Sequence, residues 1–179
     1  GQQNVNTTSG CTYVHSGSAW NATASDNCSG VNVVYSLSGA SAGTGTSLNN
    51  VVFNVGITTV EWVATDAAGN TSNCSFTVNV TDNILPLVSC PSDITHANDP
   101  GLCSYSFVVT PATGTDNCGV DQVTGTRSDG LLLSDPYPVG VTTIIWTVTD
   151  LNGNTSLPCS QKITVTDTEK PGFTVPPAV

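Results

Sequence analysis

The 179-residue sequence predicts an all-β protein made of two similar antiparallel sandwiches in tandem. Residues 58–65 and 142–149 alternate apolar and polar side chains and are rich in β-branched residues, which is typical of half-buried strands. The same motifs recur after about 85 residues, a usual size for one sandwich domain. No segment has the spacing of an amphipathic helix, so a helical or mixed class is excluded.

Matching motifs define the repeat. Each copy contains an Asp-Asn-Cys motif, a Val-Gly-x-Thr-Thr run, a Trp, a Thr-Asp-x-x-Gly-Asn-Thr-Ser turn and a closing Val-Thr-Asp. These motifs begin at Asp26, Val55, Trp62, Thr65 and Val80 in the first copy, and at Asp116, Val139, Trp146, Thr149 and Val165 in the second. The predicted domains are 1–82, a repeat lacking its first strand, 83–167, a complete repeat, and 168–179, the first strand of a following repeat. With no Met and no targeting segment, the sequence is expected to be an internal piece of a longer chain.

The strands and turns follow from local chemistry. Residues 76–80 and 163–165 alternate as the last strand of each copy. Residues 66–70 and 150–154 are predicted hairpin turns, because Gly allows a positive φ and the Asp carboxylate can accept backbone N–H groups. Trp62 and Trp146 occupy matching strand positions and are predicted to lie in the core. Trp20 has no matching Trp, so we expect it to be exposed and a candidate contact residue.

The charge balance excludes several classes of partner. Thirteen acidic residues face three basic ones, for a net charge of −10. Such a chain lacks the basic surface that nucleic acid requires and would be repelled by anionic lipid. No apolar run is long enough for direct membrane insertion. Seven cysteines in a Thr-rich β chain indicate an oxidising compartment.

The sequence offers little for catalysis. His15 and His96 are the sole histidines, and each is expected to be an exposed polar residue without a nucleophile motif nearby. The acids lie mostly in predicted turns rather than in a cleft flanked by aromatic residues, as glycoside hydrolysis would need. The prediction is that the protein is not an enzyme.

Calcium is the one candidate cofactor. Asp66, Asp82, Asp150 and Asp167 lie near the two predicted repeat boundaries, and turn carboxylates are ligands that Ca²⁺ accepts. The alternative is that each Asp caps only its own turn. Zinc is disfavoured, because the cysteines do not have Cys-x-x-Cys spacing.

Several spaced motifs together resemble the hyalin repeat (HYR) family. They are Cys90-Pro91, the Asp-Asn-Cys motif at Asp116, the Val-Gly run at Val139, and the turn at Thr149 followed by Cys159. The first copy has all of these except Cys-Pro. The resemblance covers nearly the whole chain and implies an immunoglobulin-like β-sandwich linked to cell adhesion. Dense tandem arrays of this family resemble giant surface proteins of Bacteroidota.

The resemblance also implies a disulfide pattern. The four cysteines of the second copy allow three pairings. Family members that keep only the Cys-Pro and final cysteines suggest Cys90–Cys159, which leaves Cys103–Cys118 and, by analogy, Cys11–Cys28. Cys74 then has no partner within the sequence, and its partner is expected upstream of Gly1.

The predicted function is a secreted, extracellular, non-enzymatic repeat module that serves as stalk or adhesive surface of a large cell-surface adhesin. One alternative is a subunit of an extracellular filament assembled by end-to-end or donor-strand contacts. Another is an accessory binding domain of a secreted enzyme. The expected partners are neighbouring repeats of the same chain or copies of itself, with a host surface, another surface or a polysaccharide as ligand.

Overall fold

All regular secondary structure in the computed structural model, which describes residues 1–8, 10–28 and 30–174, is β-strand. The described residues therefore include no helix that is long and apolar enough to cross a membrane. The chain divides into two compact units, Gly1–Ile84 (unit 1) and Leu85–Val179 (unit 2). The predicted all-β class is confirmed.

Unit 1 is built around one five-stranded sheet in the order β1-β7-β6-β3-β4, with β2 and β5 paired separately. The central strands β6 and β7 pair antiparallel, and β1 lies parallel to β7. The strands are β1 (Gln2–Asn6), β2 (Thr12–Val14), β3 (Asn32–Gly39), β4 (Gly43–Gly45), β5 (Val52–Asn54), β6 (Gly56–Thr65) and β7 (Thr71–Thr81).

Unit 2 repeats this plan with a four-stranded sheet in the order β12-β14-β15-β9 and the additional pairs β10-β13 and β11-β8. Here β9 lies parallel to β15, as β1 does to β7. The strands are β8 (Leu87–Ser89), β9 (Ile94–Ala97), β10 (Ser104–Tyr105), β11 (Thr113–Thr115), β12 (Val120–Arg127), β13 (Tyr137–Pro138), β14 (Gly140–Asp150) and β15 (Cys159–Thr166).

Each unit has its own core between its sheets. Trp62 is 3% exposed and Trp146 is 1% exposed, so both predicted core tryptophans are confirmed. Alternate residues of the central strands accompany them, because side chains of a strand point to opposite faces. The buried apolar residues of unit 1 are Tyr35, Leu37, Leu48, Phe53, Val60, Val78 and Val80 beside Trp62. Those of unit 2 are Val109, Ala112, Tyr137, Ile144, Val148, Ile163 and Val165 beside Trp146.

The two predicted hairpin turns are present at the ends of β6 and β14. Gly69 and Gly153 adopt φ values of 89° and 88°, which glycine reaches without steric cost. The repeated Gly-Asn of both turns therefore has the backbone role predicted for it.

The predicted extra strands differ from the expectation. Residues 168–174 form no strand, and residues 175–179, the rest of the predicted first strand of a following repeat, lie outside the described residues. In unit 1, β1 takes the position that β9 has in unit 2. The described residues of unit 1 contain no counterpart of β8.

Candidate functional site

A disulfide joins the opening segment of unit 2 to its last strand. Cys90 follows β8 and Cys159 begins β15, and their Cα atoms lie 5.9 Å apart. Cys159 is the register partner of Trp146, and both sulfur-bearing side chains pack against the core. The predicted Cys90–Cys159 bond is confirmed, and a structural disulfide indicates that the protein matures in an oxidising compartment.

The predicted Cys103–Cys118 bond is wrong, because Cys103 has a free thiol. The carbonyl of Cys103 accepts a hydrogen bond from Val139, just before β14 begins. Gly119, which follows Cys118, accepts one from Leu151, just after β14 ends. The eleven residues of β14 span about 33 Å, whereas disulfide-bonded Cα atoms lie within about 7 Å.

The predicted Cys11–Cys28 bond is wrong for the same reason, since Cys28 has a free thiol. Thr12, next to Cys11, pairs with Asn54 just before β6. Gly30, two residues after Cys28, lies against Ala67 in the turn after β6. The ten residues of β6 therefore separate the two segments by about 30 Å. Cys74, predicted to have no partner, has an exposed free thiol.

An open groove of about 390 Å³ lies beside Cys74 in unit 1. One wall is the segment 22–26, and the other is the first part of β7. Its floor includes Trp62 and Ala64 of β6. The groove thus exposes the edge of a core residue, Trp62, that is otherwise buried.

Two of the predicted calcium ligands cap turns. Oδ1 of Asp66 accepts backbone hydrogen bonds from Ala68 and Asn70 at 2.8 Å, and Oδ2 accepts one from the Asn70 amide at 2.8 Å. Asp150 makes the same three bonds with Asn152 and Asn154, at 2.8, 2.8 and 2.7 Å. These contacts match the turn-capping alternative.

The hydrogen bonds also set the ionisation of these carboxyl groups. Asn70 holds the pKa of Asp66 below its usual value, through its side chain first and then its backbone N–H. At Asp150 burial acts to raise the pKa, but the hydrogen bonds from Asn154, Asn152 and Gly153 together outweigh burial and lower it. Both groups therefore stay charged in the folded protein at neutral pH.

The four predicted calcium ligands do not gather in one cluster within either unit. In unit 1, Asp66 and Asp82 lie before and after β7, whose eleven residues span about 33 Å. Asp82 is 8% exposed and accepts a hydrogen bond from Thr7 Oγ1 at 2.9 Å. In unit 2, Asp167 follows β15 and accepts the Glu169 N–H at 3.0 Å, while Asp150 ends β14.

The matched caps give a prediction. Asp150→Ala should lower the free energy of unfolding by about 2 kcal/mol, because partly buried N–H groups of its turn lose a charged acceptor. Asp66→Ala should have a smaller effect, because water reaches its turn. Urea denaturation of the two variants measures the difference. Equal losses would show that burial of Asp150, which is 2% exposed, has no influence on the cap.

His15 differs from its predicted exposed position. It is 4% exposed, and its ring stacks on Trp20 with centroids 3.9 Å apart and planes at 6°. Trp20, also predicted to be exposed, is half-buried and packs against the core beside Phe53. Neither ring nitrogen of His15 has a hydrogen-bond partner among the described residues. His96 is exposed, as predicted, and stacks on Tyr105 at 4.3 Å.

Burial of His15 predicts a pH dependence of stability. Burial lowers the pKa of His15 below its usual 6.5, so the unfolded chain takes up a proton at a higher pH than the folded chain does. The stabilisation is therefore fully present above about pH 6.5 and declines as the pH falls below that value toward the folded pKa. Urea midpoints at about pH 7.5 and about pH 5.5 should differ less in His15→Phe than in the parent chain. His96→Gln is the control. If the difference between the two urea midpoints is the same in the parent chain and in His15→Phe, the assignment to His15 is wrong.

Sequence reasoning missed a buried cation in unit 2, Arg127. The Arg127 side chain is fully buried and forms an ion pair with Asp129 at 2.6 Å. Its guanidinium carbon lies 3.9 Å from the centroid of the Tyr137 ring. The Arg127 hydrogen bonds lower the pKa of Asp129. Nothing in the repeat pattern could have found this site, because the first copy has Leu37 at the matching position.

Comparison with known proteins places these features in a family. An HYR domain family model matches residues 16–80 and again residues 81–165. Hyalin from Strongylocentrotus purpuratus is 35% identical over 131 residues, which are 72% of this chain and 10% of that protein. Hyalin from Lytechinus variegatus is 30% identical over 159 residues, which are 84% of this chain and 28% of that protein.

The chain thus spans well under a third of either hyalin. Among solved structures, the Clostridium thermocellum CbhA fibronectin(III)-like modules are similar at 19% identity with a TM-score of 0.38, over 97% of this chain and 95% of that one. The family model covers both units, and the Cys90–Cys159 bond links the Cys-Pro and final cysteines of the second repeat. The chain therefore belongs to the HYR domain family.

Proposed function

We propose that this chain is a non-enzymatic extracellular repeat module that transmits mechanical load as part of the stalk of a large cell-surface adhesin. The observation that carries the proposal is the position of the Cys90–Cys159 bond in the path of force. A pull on the two ends of unit 2 enters before Cys90 and leaves after β15, which begins at Cys159. The load then passes directly across the disulfide and bypasses the residues between, so that the loop of 69 residues cannot be drawn out.

The strand order of unit 1 supports the same role. There β1 lies parallel to β7, with Gln3 opposite Val78. A pull on the two ends of unit 1 acts on β1 at its start and on β7 at its end. Force therefore acts along the strands in opposite directions and loads all the hydrogen bonds between them together. Peeling would instead break them one at a time.

Location and source belong to the proposal as well. The disulfide supports secretion, and we propose attachment to a cell surface through the rest of the adhesin. The Bacteroidota-like source expected from the sequence gains no support from the two hyalins, which come from other organisms. The adhesive-surface role and the filament of copies of this chain are the competing functions, and a neighbouring repeat is the proposed partner in a stalk.

A bead assay separates these functions. Beads that carry the chain through its C-terminus are mixed with bare glass, with polysaccharide gels and with one another. A stalk predicts no binding in any of the three mixtures. Binding to glass or gel would support an adhesive surface instead, and clustering of the coated beads would support a filament. Either result would overturn the stalk proposal.

Calcium binding is a second proposal, limited to unit 2. Carboxylate oxygens of Asp116 and Asp150 lie within 4.8 Å of each other, and Oδ1 of Asp116 is buried without a hydrogen-bond partner among the described residues. Paired carboxylate oxygens are ligands that Ca²⁺ prefers. The other predicted ligands, Asp66, Asp82 and Asp167, remain predictions.

Calorimetric titration of the full chain with CaCl₂ tests this proposal. Binding heat should be lost in Asp116→Asn and kept in Asp26→Asn, the matching change in unit 1. No heat at millimolar Ca²⁺, or equal heat in both variants, would leave these carboxylates as turn caps alone.

A further inference from the structure

One wall of the groove in unit 1 is a segment without a strand partner. Residues 23–25 form no strand, and their backbone groups make no backbone hydrogen bond within the described part of unit 1. The Asp-Asn-Cys motifs that follow align these residues with β11 (Thr113–Thr115) of unit 2. There, β11 pairs antiparallel with β8, and Gly114 lies opposite Val88. The groove of unit 1 therefore lies where β8 lies in unit 2.

In unit 2 the opening segment, residues 84–91, fills this place with two side chains that point into the core. Val88 and Cys90 pack against the core, two positions apart as in an extended strand, while Leu87 and Ser89 are exposed. Cys90 then bonds to Cys159. The opening segment thus contributes one apolar side chain, one cysteine and one edge of backbone groups.

Unit 1 has the receiving half of the same arrangement. Cys74 is opposite Trp62 in register, as Cys159 is opposite Trp146, and its thiol is free. Ala64 takes the place of Val148, which leaves more room over the core.

A buried donor at the groove points to the same occupant. The indole N–H of Trp62, a residue 3% exposed, has no hydrogen-bond partner among the described residues. In unit 2 the Trp146 N–H donates to Gln161, whose amide donates in turn to the carbonyl of Ser92, just after the opening segment. Phe76 replaces Gln161 in unit 1, so a strand in the groove would supply an acceptor that the unit itself lacks.

The register identifies where such a strand would come from. In unit 1, Gln3 lies opposite Val78, and at the equivalent place in unit 2, Ile94 lies opposite Ile163. Gly1, two residues before Gln3, therefore corresponds to Ser92, two residues before Ile94. Gly1 lines a recess of about 280 Å³ together with Trp62 and Cys74. A segment joined to Gly1 would therefore enter the groove directly beside Cys74.

We propose that this groove binds an opening segment with the chemistry of residues 84–91, joined to Gly1, and that Cys74 forms a disulfide with the cysteine of that segment. The two thiols lose two electrons and two protons to a disulfide oxidant such as oxidised glutathione. The oxidant leaves as two thiols, and one S–S bond forms between the segment and β7. The inference rests on the proposed mechanical role and extends the covalent bypass of unit 2 to unit 1.

A fusion tests the proposal. The sequence of residues 84–91 is placed before Gly1 in the full chain, with Cys28 and Cys103 changed to Ser, and the protein is folded with reduced and oxidised glutathione. Maleimide should label Cys74 in the chain without the addition and fail to label it in the fusion. Peptide mapping should find Cys74 joined to the added cysteine. The melting temperature of unit 1 should rise by about 10 °C or more and fall again with reductant.

Two matched fusions and one peptide act as controls. Changing the added cysteine to Ser should restore labelling of Cys74. Exchanging the added Val and Ser turns the apolar side chain to solvent and should restore labelling as well. The native Cys90–Cys159 bond reports that folding and oxidation succeeded. If that bond forms while Cys74 and the added cysteine both remain labelled, the proposal is wrong. Protection of Cys74 by a free peptide of residues 168–176 would also overturn it, in favour of the tail of a second copy. Neither result bears on the path of force across Cys90–Cys159, so failure of this inference and failure of the proposed function can be told apart.

Discussion

Replacing Cys90 and Cys159 by Ala should lower the free energy of unfolding of unit 2 by about 4 kcal/mol. The bond closes a loop of 69 residues, and its loss restores the conformational freedom of that loop in the unfolded chain. For a unit of this size the melting temperature should fall by roughly 20 °C. Calorimetric melting of the full chain, with and without reductant, measures the shift.

Cys74→Ala is the matched control, because Cys74 takes the position of Cys159 in unit 1 and has a free thiol. That variant should melt like the parent chain. A melting temperature of unit 2 that is unchanged after confirmed reduction would show that the Cys90–Cys159 bond contributes no stability.

Arg127→Ala should destabilise unit 2 by about 3 kcal/mol, because the acceptors of its side chain lose a buried, charged donor. The guanidinium binds Asp129 through Nε and Nη2 and lies over Tyr137. It also donates to three backbone carbonyls of the following loop, those of Leu132, Asp135 and Pro136. Loss of Arg127 therefore removes the anchor of the loop that leads into β13.

Arg127→Lys separates charge from geometry. Lysine keeps the positive charge but lacks the planar fork that reaches both the carboxylate and the carbonyls, so we expect it to recover less than half of the lost stability. Guanidinium denaturation of both variants provides the measurement. Full stability in Arg127→Lys would show that charge alone holds the loop.

The fold and the turn chemistry could be predicted because they depend on short-range patterns that occur twice. Alternation identified β6 and β14, and the Asp-x-x-Gly-Asn turns identified the caps at Asp66 and Asp150. The Cys90–Cys159 pair was inferred from family resemblance, because members of a family share the residue pairs that lie close together. Local pattern and family resemblance were therefore enough to predict most of the fold.

The errors arose where the outcome depends on contacts that are distant in sequence or on distances along a strand. The two cysteines of each wrong pair, Cys103–Cys118 and Cys11–Cys28, are close in sequence. They lie near opposite ends of a long strand, β14 for the first pair and β6 for the second, so its full length separates them. Arg127 was missed because its partners are backbone carbonyls, which any sequence offers. His15 was placed in solvent because nothing in the sequence shows that Trp20 stacks on it.

Pulling the chain by its two ends in a single-molecule force experiment tests the mechanical account most directly. Cys11 and Cys118 are changed to Ser in this chain, so that reductant acts on the Cys90–Cys159 bond and on no other disulfide. Without reductant, we expect one long unfolding step, from unit 1, because the Cys90–Cys159 bond keeps 69 residues of unit 2 out of the extended length. With reductant, a second step of about 24 nm should appear, at about 3.6 Å for each released residue. Two long steps without reductant, or extension at low force without distinct steps, would contradict the claim that unit 2 transmits load through its disulfide.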